Sequence, residues 1–446
     1  MRPRPRSARL VALALFVSLA AVTDAQRAPW ITPSPAELDA IYPDLEALYI
    51  DLHRNPELAF QESRTSATLA AQLKALGFEV TTGVGKTGLV GVLRNGPGPT
   101  AMLRTELDAL PIQEKTGLPF ASTRVVTTAA GQTVPVMHAC GHDLHMAAWV
   151  GTARLMAEHR DQWRGTLVML GQPAEENLGG ALAVLNDGLL TRFPRPDAIL
   201  SMHDDDTLPS GTVGYKPGLF RAISDTVTIT VYGRGGHAAM PQNTVDPVVL
   251  ASRIVVALQS VVARENNPVD PVVVTVGSIH GGTAGNIIPD EVRLQLSVRT
   301  YSEEVRARTL AAIRRVARGQ AIAAGAPREP EVDAPERGNP PVFNDPQLTQ
   351  RLAGALKRAL GDRIVEMPQK MTSEDFAEYG VAGVPAVLLH IGAVAPERLA
   401  EARRSGIPVP APHSPEWAPD REATLKGAVR AEVTALLELL GLARQL

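Results

Sequence analysis

The chain is poor in cysteine, in aromatic residues and in long runs of positive charge. Cys140 is the single cysteine among 446 residues, and phenylalanine, tryptophan and tyrosine together make up 4%. After residue 10 no basic tract is long enough to follow a phosphate backbone, so we expect no nucleic-acid partner. We expect no segment after residue 25 to be apolar enough to cross a membrane.

What is present is ordinary core-forming material. Hydrophobic residues make up 45% of the chain and charged residues 20%, with a formal net charge of −3. This balance is typical of a water-soluble globular protein. The length exceeds that of most single domains, so two domains are the default expectation.

The N-terminus has the order of a secretory signal peptide. Four arginines precede an apolar run over residues 10–22, and small residues at 23 and 25 suit a cleavage site. An uncleaved anchor helix is the alternative, but it needs about 20 apolar residues. Removal of residues 1–25 would change the net charge from −3 to −6. We therefore expect an exported protein, periplasmic or secreted, that has no membrane partner once the signal peptide is removed.

Hydrophobic periodicity predicts an α/β protein with a second unit inserted into it. Strand-like and helical segments alternate up to residue 222 and resume near 340, which favours a mixed central sheet covered on both faces. Between them the order β-α-β-β-α-β predicts a ferredoxin-like α+β unit. The predicted domains are a catalytic domain over 30–222 and 336–446, and an inserted lid and dimerisation domain over 223–335.

Several side chains that bind metals follow apolar runs. Cys140 and His142 lie two residues apart, and thiolate and imidazole are good ligands for zinc and related ions. Glu175 and Glu176 follow a buried strand, and neighbouring glutamates point in different directions, so one can bind metal while the other acts as a base. His203 ends another apolar run. A lone thiol in an oxidising compartment is also expected to be buried or held by a metal.

The order of short motifs makes the chain resemble the amidohydrolase branch of the aminoacylase/carboxypeptidase metallopeptidase family, which includes hippurate hydrolase and indole-3-acetyl-amino acid hydrolases. Matching segments cover nearly the whole chain after residue 50. They are HRNPEL (53–58), LDALP (107–111), HACGHD (138–143), QPAEE (172–176), GRGGHAAMP (233–241), GGTAGNIIP (281–289), SEDF (373–376) and HSP (413–415).

The resemblance implies a set of metal ligands and a general base. It implies two divalent ions per subunit, with Zn²⁺ favoured and Mn²⁺, Co²⁺ or Ni²⁺ open. Glu175 would be the general base toward a metal-activated water, and Asp108 would orient a ligand histidine. The implied metal ligands are Cys140, His142, Glu176, His203 and His413.

The resemblance also implies a role for His237 of the inserted unit, which would stabilise the oxyanion in the partner subunit of a homodimer; a surface histidine on a loop is the alternative. Asn286 and Arg299 are candidates for binding the substrate carbonyl and carboxylate, because a guanidinium matches a carboxylate bidentately, and a surface salt bridge is the alternative for Arg299. The chain departs from the family where Glu106 replaces an aspartate and where Thr372-Ser373 replace two glycines. The role of Glu106 and the width of the pocket therefore stay open.

Among the other histidines, the sequence favours supporting roles beside the metal site for His138 and His145. It favours structural roles for His53, His159 and His390, and a place near the cleft for His280 is open. The predicted reaction is metal-dependent hydrolysis of N-acyl amino acids or related small amides. A carboxypeptidase or dipeptidase acting on short peptides is the alternative, and a catalytically silent binding protein is a further one.

Overall fold

A computed structural model describes Met1 and residues 30–128 and 131–441 of the chain. Apart from Met1, the signal peptide predicted over residues 1–25 lies outside the described residues. The helices are α1 (Pro35–Arg54), α2 (Ser63–Ala75), α3 (His142–Glu158), α4 (Gly180–Asn186), α5 (Leu189–Arg192), α6 (Pro247–Ser260), α7 (Glu303–Ala323), α8 (Pro346–Leu360), α9 (Ala377–Val381), α10 (Pro396–Ser405) and α11 (Arg421–Leu440).

The strands alternate with these helices over most of the chain. They are β1 (Glu79–Val84), β2 (Gly88–Asn95), β3 (Thr100–Glu106), β4 (Val125–Thr127), β5 (Thr133–Pro135), β6 (Gly165–Gln172), β7 (Ala198–Pro209), β8 (Val213–Tyr215), β9 (Gly218–Arg221), β10 (Ile223–Tyr232), β11 (Gly236–His237), β12 (Val273–His280), β13 (Ile287–Ile288), β14 (Glu291–Thr300), β15 (Glu331–Asp333), β16 (Val342–Asn344), β17 (Ile364–Glu366) and β18 (Ala386–Val394).

The larger sheet has eight strands in the order β1-β2-β6-β3-β7-β18-β8-β17. Its central strands β6, β3, β7 and β18 are parallel, and antiparallel pairs flank them. One core cluster contains the buried side chains of α1, α3 and α11, and another contains those of α4 and α9. Both faces are thus covered, which explains why β3 and β6 are almost continuously buried. The predicted α/β class with a mixed sheet is confirmed.

The smaller sheet has four strands in the order β12-β14-β10-β15, and all its pairs are antiparallel. Its strands lie between Ile223 and Asp333, and α6 and α7 contribute buried residues to its core. The alternation of buried and exposed residues along β14 shows that this sheet is covered on one face only. This is the predicted ferredoxin-like arrangement. We call it the four-stranded unit below, and the part built on the larger sheet the eight-stranded unit.

The expectation about apolar segments after residue 25 is wrong in one place. The helical segment Pro247–Glu265 has the length and composition of a membrane span. Its buried side chains, which include Leu250, Ile254 and Leu258, belong to the core under the four-stranded sheet. Apolar residues on both its core face and its outer face account for the composition.

Candidate metal centre

The proposed ligands meet at one end of the eight-stranded sheet. Cys140 and His142 flank the start of α3, Glu176 follows β6, His203 lies within β7, and His413 lies in the loop before α11. Because β6 and β7 run parallel to β3 between them, the residues that follow β3 and β6 lie at the same edge as the far half of β7.

The ligand atoms lie close enough to share cations. The Cys140 Sγ lies 3.5 Å from His203 Nε2, and Glu176 Oε2 lies 3.4 Å from His413 Nε2. His142 Nε2 lies 4.0 Å from an oxygen of Glu175 and 4.0 Å from an oxygen of Glu176. The triads whose ligand atoms lie within 4.8 Å of one another include Cys140–His142–His203, Cys140–Glu176–His413 and His142–Glu175–Glu176. All five predicted ligands and Glu175 are therefore brought together.

Two buried polar atoms at this point have no hydrogen-bond partner within the described part of the chain. They are His142 Nε2 and Glu176 Oε1. The other ring nitrogen of His142 donates to the carbonyl oxygen of Asp108 at 2.8 Å, and that of His203 to the carbonyl of Asp204 at 2.8 Å. Both rings thus present an Nε2 lone pair to the centre, as metal-binding histidines do. Unpaired buried nitrogens and oxygens are costly, and a cation would satisfy them.

The electrostatics also suit cations. Burial, Glu374 and Glu176 raise the pKa of Glu175 well above its usual range, and burial and Asp108 raise the pKa of Glu176 to about 7. Burial and the nearby glutamate raise the pKa of the Cys140 thiol. A raised pKa favours the protonated forms of these three groups, and a cation beside them would favour their anionic forms. Burial lowers the pKa of His413 to about 4, so its imidazole is neutral and free to bind metal.

The turn between Cys140 and His142 requires glycine. Gly141 has φ +74°, and a Cβ atom there would lie 2.2 Å from an oxygen of Asp204. His413 also has a left-handed backbone, with φ +69°. A non-glycine residue in this conformation is held by its surroundings, and its backbone N–H donates to Ala139 at 2.7 Å. Both loops are thus tied to each other beside the ligands.

The Glu175-Glu176 pair is held by two carboxylates. Asp108 accepts the backbone N–H of Glu175 at 3.0 Å and that of Glu176 at 2.9 Å. Glu62 accepts the N–H of Ala174 at 2.8 Å. The predicted role of Asp108 is therefore incomplete. Its backbone carbonyl orients His142, whereas its side chain positions the loop that carries both glutamates, which a sequence motif cannot distinguish.

Glu106, whose role the sequence left open, belongs to a buried ion network. Arg104 contacts Glu106 and donates to Glu374 at 2.9 Å and to Asp375 at 3.0 Å. Glu106 also accepts from His145 at 3.1 Å. Arg104 was not singled out from the sequence, since an arginine within an apolar strand has no distinctive pattern. Its complete burial beside three acids identifies it as the support of this wall.

The remaining histidines differ in their contacts. Both ring nitrogens of His145 are occupied by Glu106 and Asp204, which suits a supporting role. His138 is buried without hydrogen-bond partners in the described structure. The other four have separate environments. His53 pairs with Asp143 and Glu114, His159 pairs with Glu37, His390 pairs with Asp205 and Arg221, and His280 lines a surface pocket next to Gly281 and Gly282.

The predicted residues of the four-stranded unit are divided. Arg299 is half-buried and lines the cavity of about 490 Å³ that contains Glu175, Glu176 and His413. His237 and Asn286 are exposed and do not line that cavity. His237 lies on β11, and Asn286 directly precedes β13, which pairs with β11. A single chain therefore does not bring these two residues to the metal ligands.

Cysteine, histidine and glutamate ligands beside a further carboxylate, Glu175, are the arrangement expected of a metal-dependent hydrolase. Residues 102–403 match the family described as Peptidase family M20/M25/M40. An N-acetyl-L-cysteine deacetylase of Bacillus subtilis is 37% identical over 347 residues, which cover 78% of this chain and 80% of the relative. Thermostable carboxypeptidase 2 of Saccharolobus solfataricus is 35% identical over 332 residues, covering 74% and 80%.

A solved structure supports the same conclusion. A dinuclear metal-binding peptidase of the M20 family from Bacillus subtilis is 32% identical, with a TM-score of 0.68, and the match covers 90% of this chain and 100% of that one. The chain belongs to the peptidase family M20/M25/M40. It is a metal-dependent hydrolase of amide bonds with a site for two divalent ions. The resemblance stated from the motifs is confirmed.

Proposed function

We propose that the protein removes the acyl group from N-acyl amino acids, and that Glu175 is its general base. The observation that carries the proposal is the triad of His142, Glu175 and Glu176, whose ligand atoms lie within 4.8 Å of one another. Only one of two adjacent glutamates is needed as a ligand, and Glu176 also faces His413. Glu175 is thus the carboxylate available to the reacting water.

The chain's residues divide the work as follows. Cys140, His142, Glu176, His203 and His413 would hold two divalent ions, which when bound would supply Lewis acidity and lower the pKa of a water toward 7. Glu175 takes a proton from the attacking water and returns it to the leaving amine. Its backbone position depends on Asp108, and Arg299 binds the substrate carboxylate with its planar fork of donors. Zinc is the favoured ion, because thiolate and imidazole are among its preferred ligands.

The proposal includes a homodimer formed through the four-stranded unit. Strand β12 is at the edge of its sheet, and α6 exposes Val248, Val249 and Val256. A second copy covering this edge and helix would bury those valines and could bring His237 to the partner's metal ions. Sedimentation velocity tests this. Val256→Lys should yield monomers, whereas Val381→Lys, an exposed valine of the eight-stranded unit, should not.

Export is also proposed, from residues 1–25 alone. Expression of the full chain with an intact secretion system should give a mature protein that begins at Gln26. An N-terminal sequence that still includes the arginines at 2, 4, 6 and 9 in the exported fraction would contradict it.

A substrate panel tests the proposed reaction. The metal-loaded protein is assayed with N-acyl amino acids that differ in acyl group and side chain, and with dipeptides of matching size. Preference for N-acyl amino acids supports the proposal. Preference for dipeptides would support the carboxypeptidase or dipeptidase reading, for which the similarity to thermostable carboxypeptidase 2 speaks. Binding without turnover of any member would favour the silent binding protein.

A further inference from the structure

A second buried guanidinium faces the same cavity as Arg299. Arg221 ends β9, two residues before β10, where the chain passes from the eight-stranded unit into the four-stranded unit. Its side chain lines the cavity, yet the residue is only 4% exposed. A backbone bridge pairs Arg221 with Lys370, and Ala222 N–H donates to Thr372 at 2.9 Å. Arg221 is therefore fixed in the cavity wall beside the two residues that replace the family's glycines.

Hydrogen bonds hold the guanidinium in one orientation. Nη2 donates to His390 Nε2 at 3.0 Å, and Nη1 donates to the carbonyl oxygen of Ser373 at 3.2 Å. His390 in turn donates through Nδ1 to Asp205 at 2.7 Å. His390 can accept from Arg221 only as a neutral ring. This series of contacts makes His390 a positioning residue, whereas only a structural role was predicted for it.

The charge and donors of Arg221 are only partly matched. Its Nε has no hydrogen-bond partner in the part of the chain that the structure describes. The nearest carboxylate is Glu374, whose Oε2 lies 3.7 Å from Nη1 and has no hydrogen-bond partner among the described residues, while its Oε1 accepts from Arg104 at 2.9 Å. Lys370 differs, since it forms an ion pair with Asp205. An unpaired donor on a buried arginine is costly unless a ligand completes it.

Arg299 is likewise available. Among the described residues it forms no ion pair with an acid, and its Nε donates to Ser297 at 3.0 Å. An ordinary N-acyl amino acid carries one carboxylate, which Arg299 can bind. Two guanidinium groups in one cavity therefore exceed the needs of a monoanion. Ser373, whose Oγ accepts from Asn339 at 2.9 Å, keeps its own O–H available as a further donor.

We propose that Arg221 recognises a second carboxylate, so that the preferred substrates are N-acyl amino acids with two negative charges. This inference rests on the proposed function and narrows its substrate class. The second carboxylate can belong to the amino acid's side chain, as in N-acylglutamate, or to the acyl group, as in an N-succinyl amino acid. Both present the same planar anion to Arg221.

Paired substrates that differ only in charge test the proposal with the metal-loaded full chain. The amino-acid arm compares N-acetylglutamate with N-acetylglutamine. The acyl arm compares N-succinylalanine with the analogue in which the free carboxylate of the succinyl group is an amide. Wild type should prefer the charged member of at least one pair by about 10- to 100-fold in kcat/KM. Arg221→Met should reduce this ratio toward one, and Arg221→Lys should retain part of it. Arg94→Met, which removes an exposed arginine of β2, should leave the ratio as in wild type.

A binding measurement separates this proposal from the proposed reaction. Calorimetry on metal-loaded Glu175→Gln gives the Kd of each member of both pairs without turnover. In the double variant that also carries Arg221→Met, only the Kd of the charged member should rise. Charge-selective binding with no hydrolysis by wild type would retain the Arg221 site and overturn the proposed reaction. Equal kcat/KM and Kd within both pairs would overturn the Arg221 site. So would an equal loss on both members with Arg221→Met, which would show that Arg221 only balances Glu374.

Discussion

The ionisable residues around the metal centre and those of the loop that carries His237 differ in their burial. In the eight-stranded unit, Arg104, Glu106, Asp108 and Glu374 are fully buried and bonded to one another or to backbone. In the four-stranded unit, His237 is exposed, and among the described residues its ring accepts a hydrogen bond from the nearby backbone of Ala239 alone. The single chain therefore holds the residues around the metal centre in place, whereas the role proposed for His237 requires a second surface.

This difference separates metal binding from substrate handling. The ligands are fixed by packing that a single chain completes, because the loops, helix and strand that carry them meet at one end of the central strands. Arg299 already lines the cavity of the centre, whereas His237 and Asn286 can approach it only when the four-stranded unit moves or when another copy meets it. Mutations in the two units should consequently fail in different ways.

The largest effect is expected from Glu175→Gln. The amide keeps the shape of the side chain but cannot accept the proton of the attacking water, so kcat should fall by about 10²–10⁴-fold. Metal content should stay near that of wild type, because the five ligands remain. Steady-state kinetics and elemental analysis measure the two quantities. Glu416→Gln, an exposed glutamate near His413, is the control and should change neither. Ordinary turnover by Glu175→Gln would remove Glu175 from the mechanism.

A smaller loss is expected from His237→Ala, about 10²–10³-fold in kcat, which is typical of losing one oxyanion donor. If His237 acts in the partner's site, a stronger test uses mixed dimers. Verified heterodimers of a His237→Ala chain and a Glu175→Gln chain should recover up to half of wild-type activity, because one composite site is complete. Heterodimers as inactive as both parents would show that His237 does not act on the partner's site.

Metal removal should loosen one unit and spare the other. Binding at about 100 times Kd stabilises the folded state by about 2.7 kcal/mol, so chelation should lower the melting temperature by several degrees. Hydrogen exchange measured by mass spectrometry should then rise around Cys140, Glu175 and His203. Exchange in β10 and β14 should be unchanged. An equal rise of hydrogen exchange in both units would show that metal binding stabilises the four-stranded unit as well.

The smallest effect concerns a buried acid outside the metal centre. Glu432 of α11 accepts from Thr152 at 2.6 Å, and burial raises its pKa to about 8 from an ordinary value of 4.5. The folded protein holds this proton while the unfolded chain releases it, so stability from this group is present below pH 4.5 and is lost as the pH rises toward 8.

Glu432→Gln should therefore gain stability relative to wild type as the pH rises. The expected gain between pH 5 and pH 8 is about 1–3 kcal/mol in the free energy of unfolding by urea. Glu304→Gln, an exposed acid of the four-stranded unit, should show no such trend. A flat difference for Glu432→Gln across this range would mean that Glu432 is ionised in the folded protein.

Much of the fold and of the ligand set could be predicted from the sequence, for physical reasons. The buried strands β3, β6 and β7 form apolar runs, and Cys140, Glu176 and His203 stand at or near the ends of such runs. Asp108 was assigned to a ligand histidine and does contact His142, but its carboxylate also accepts the backbone N–H groups of Glu175 and Glu176, which a motif does not reveal. The apolar content of the segment that begins with α6 was underestimated, because this segment has apolar residues on its outer face as well as on the face toward the core.

What could not be predicted depends on contacts between distant segments. Arg104 meets Glu374 and Asp375 across about 270 positions of sequence. Arg221 meets His390 across 169. No local pattern marks either arginine, because its partners come from strands and loops that only folding brings together. Arg299 was named because a guanidinium matches a carboxylate, but its place in the cavity required the packing of β14 against β10.

The central claim is that two divalent ions in the eight-stranded unit support amide hydrolysis. Stepwise addition of Zn²⁺ or Mn²⁺ to the chelated protein, with bound metal and N-acyl amino acid hydrolysis measured at each step, tests it most directly. We expect hydrolysis to rise with bound metal and to level off at two ions per chain. His142→Ala, which removes a ligand, should bind fewer than two ions per chain. Full hydrolysis by metal-free protein, or two bound ions without hydrolysis of any amide, would contradict it.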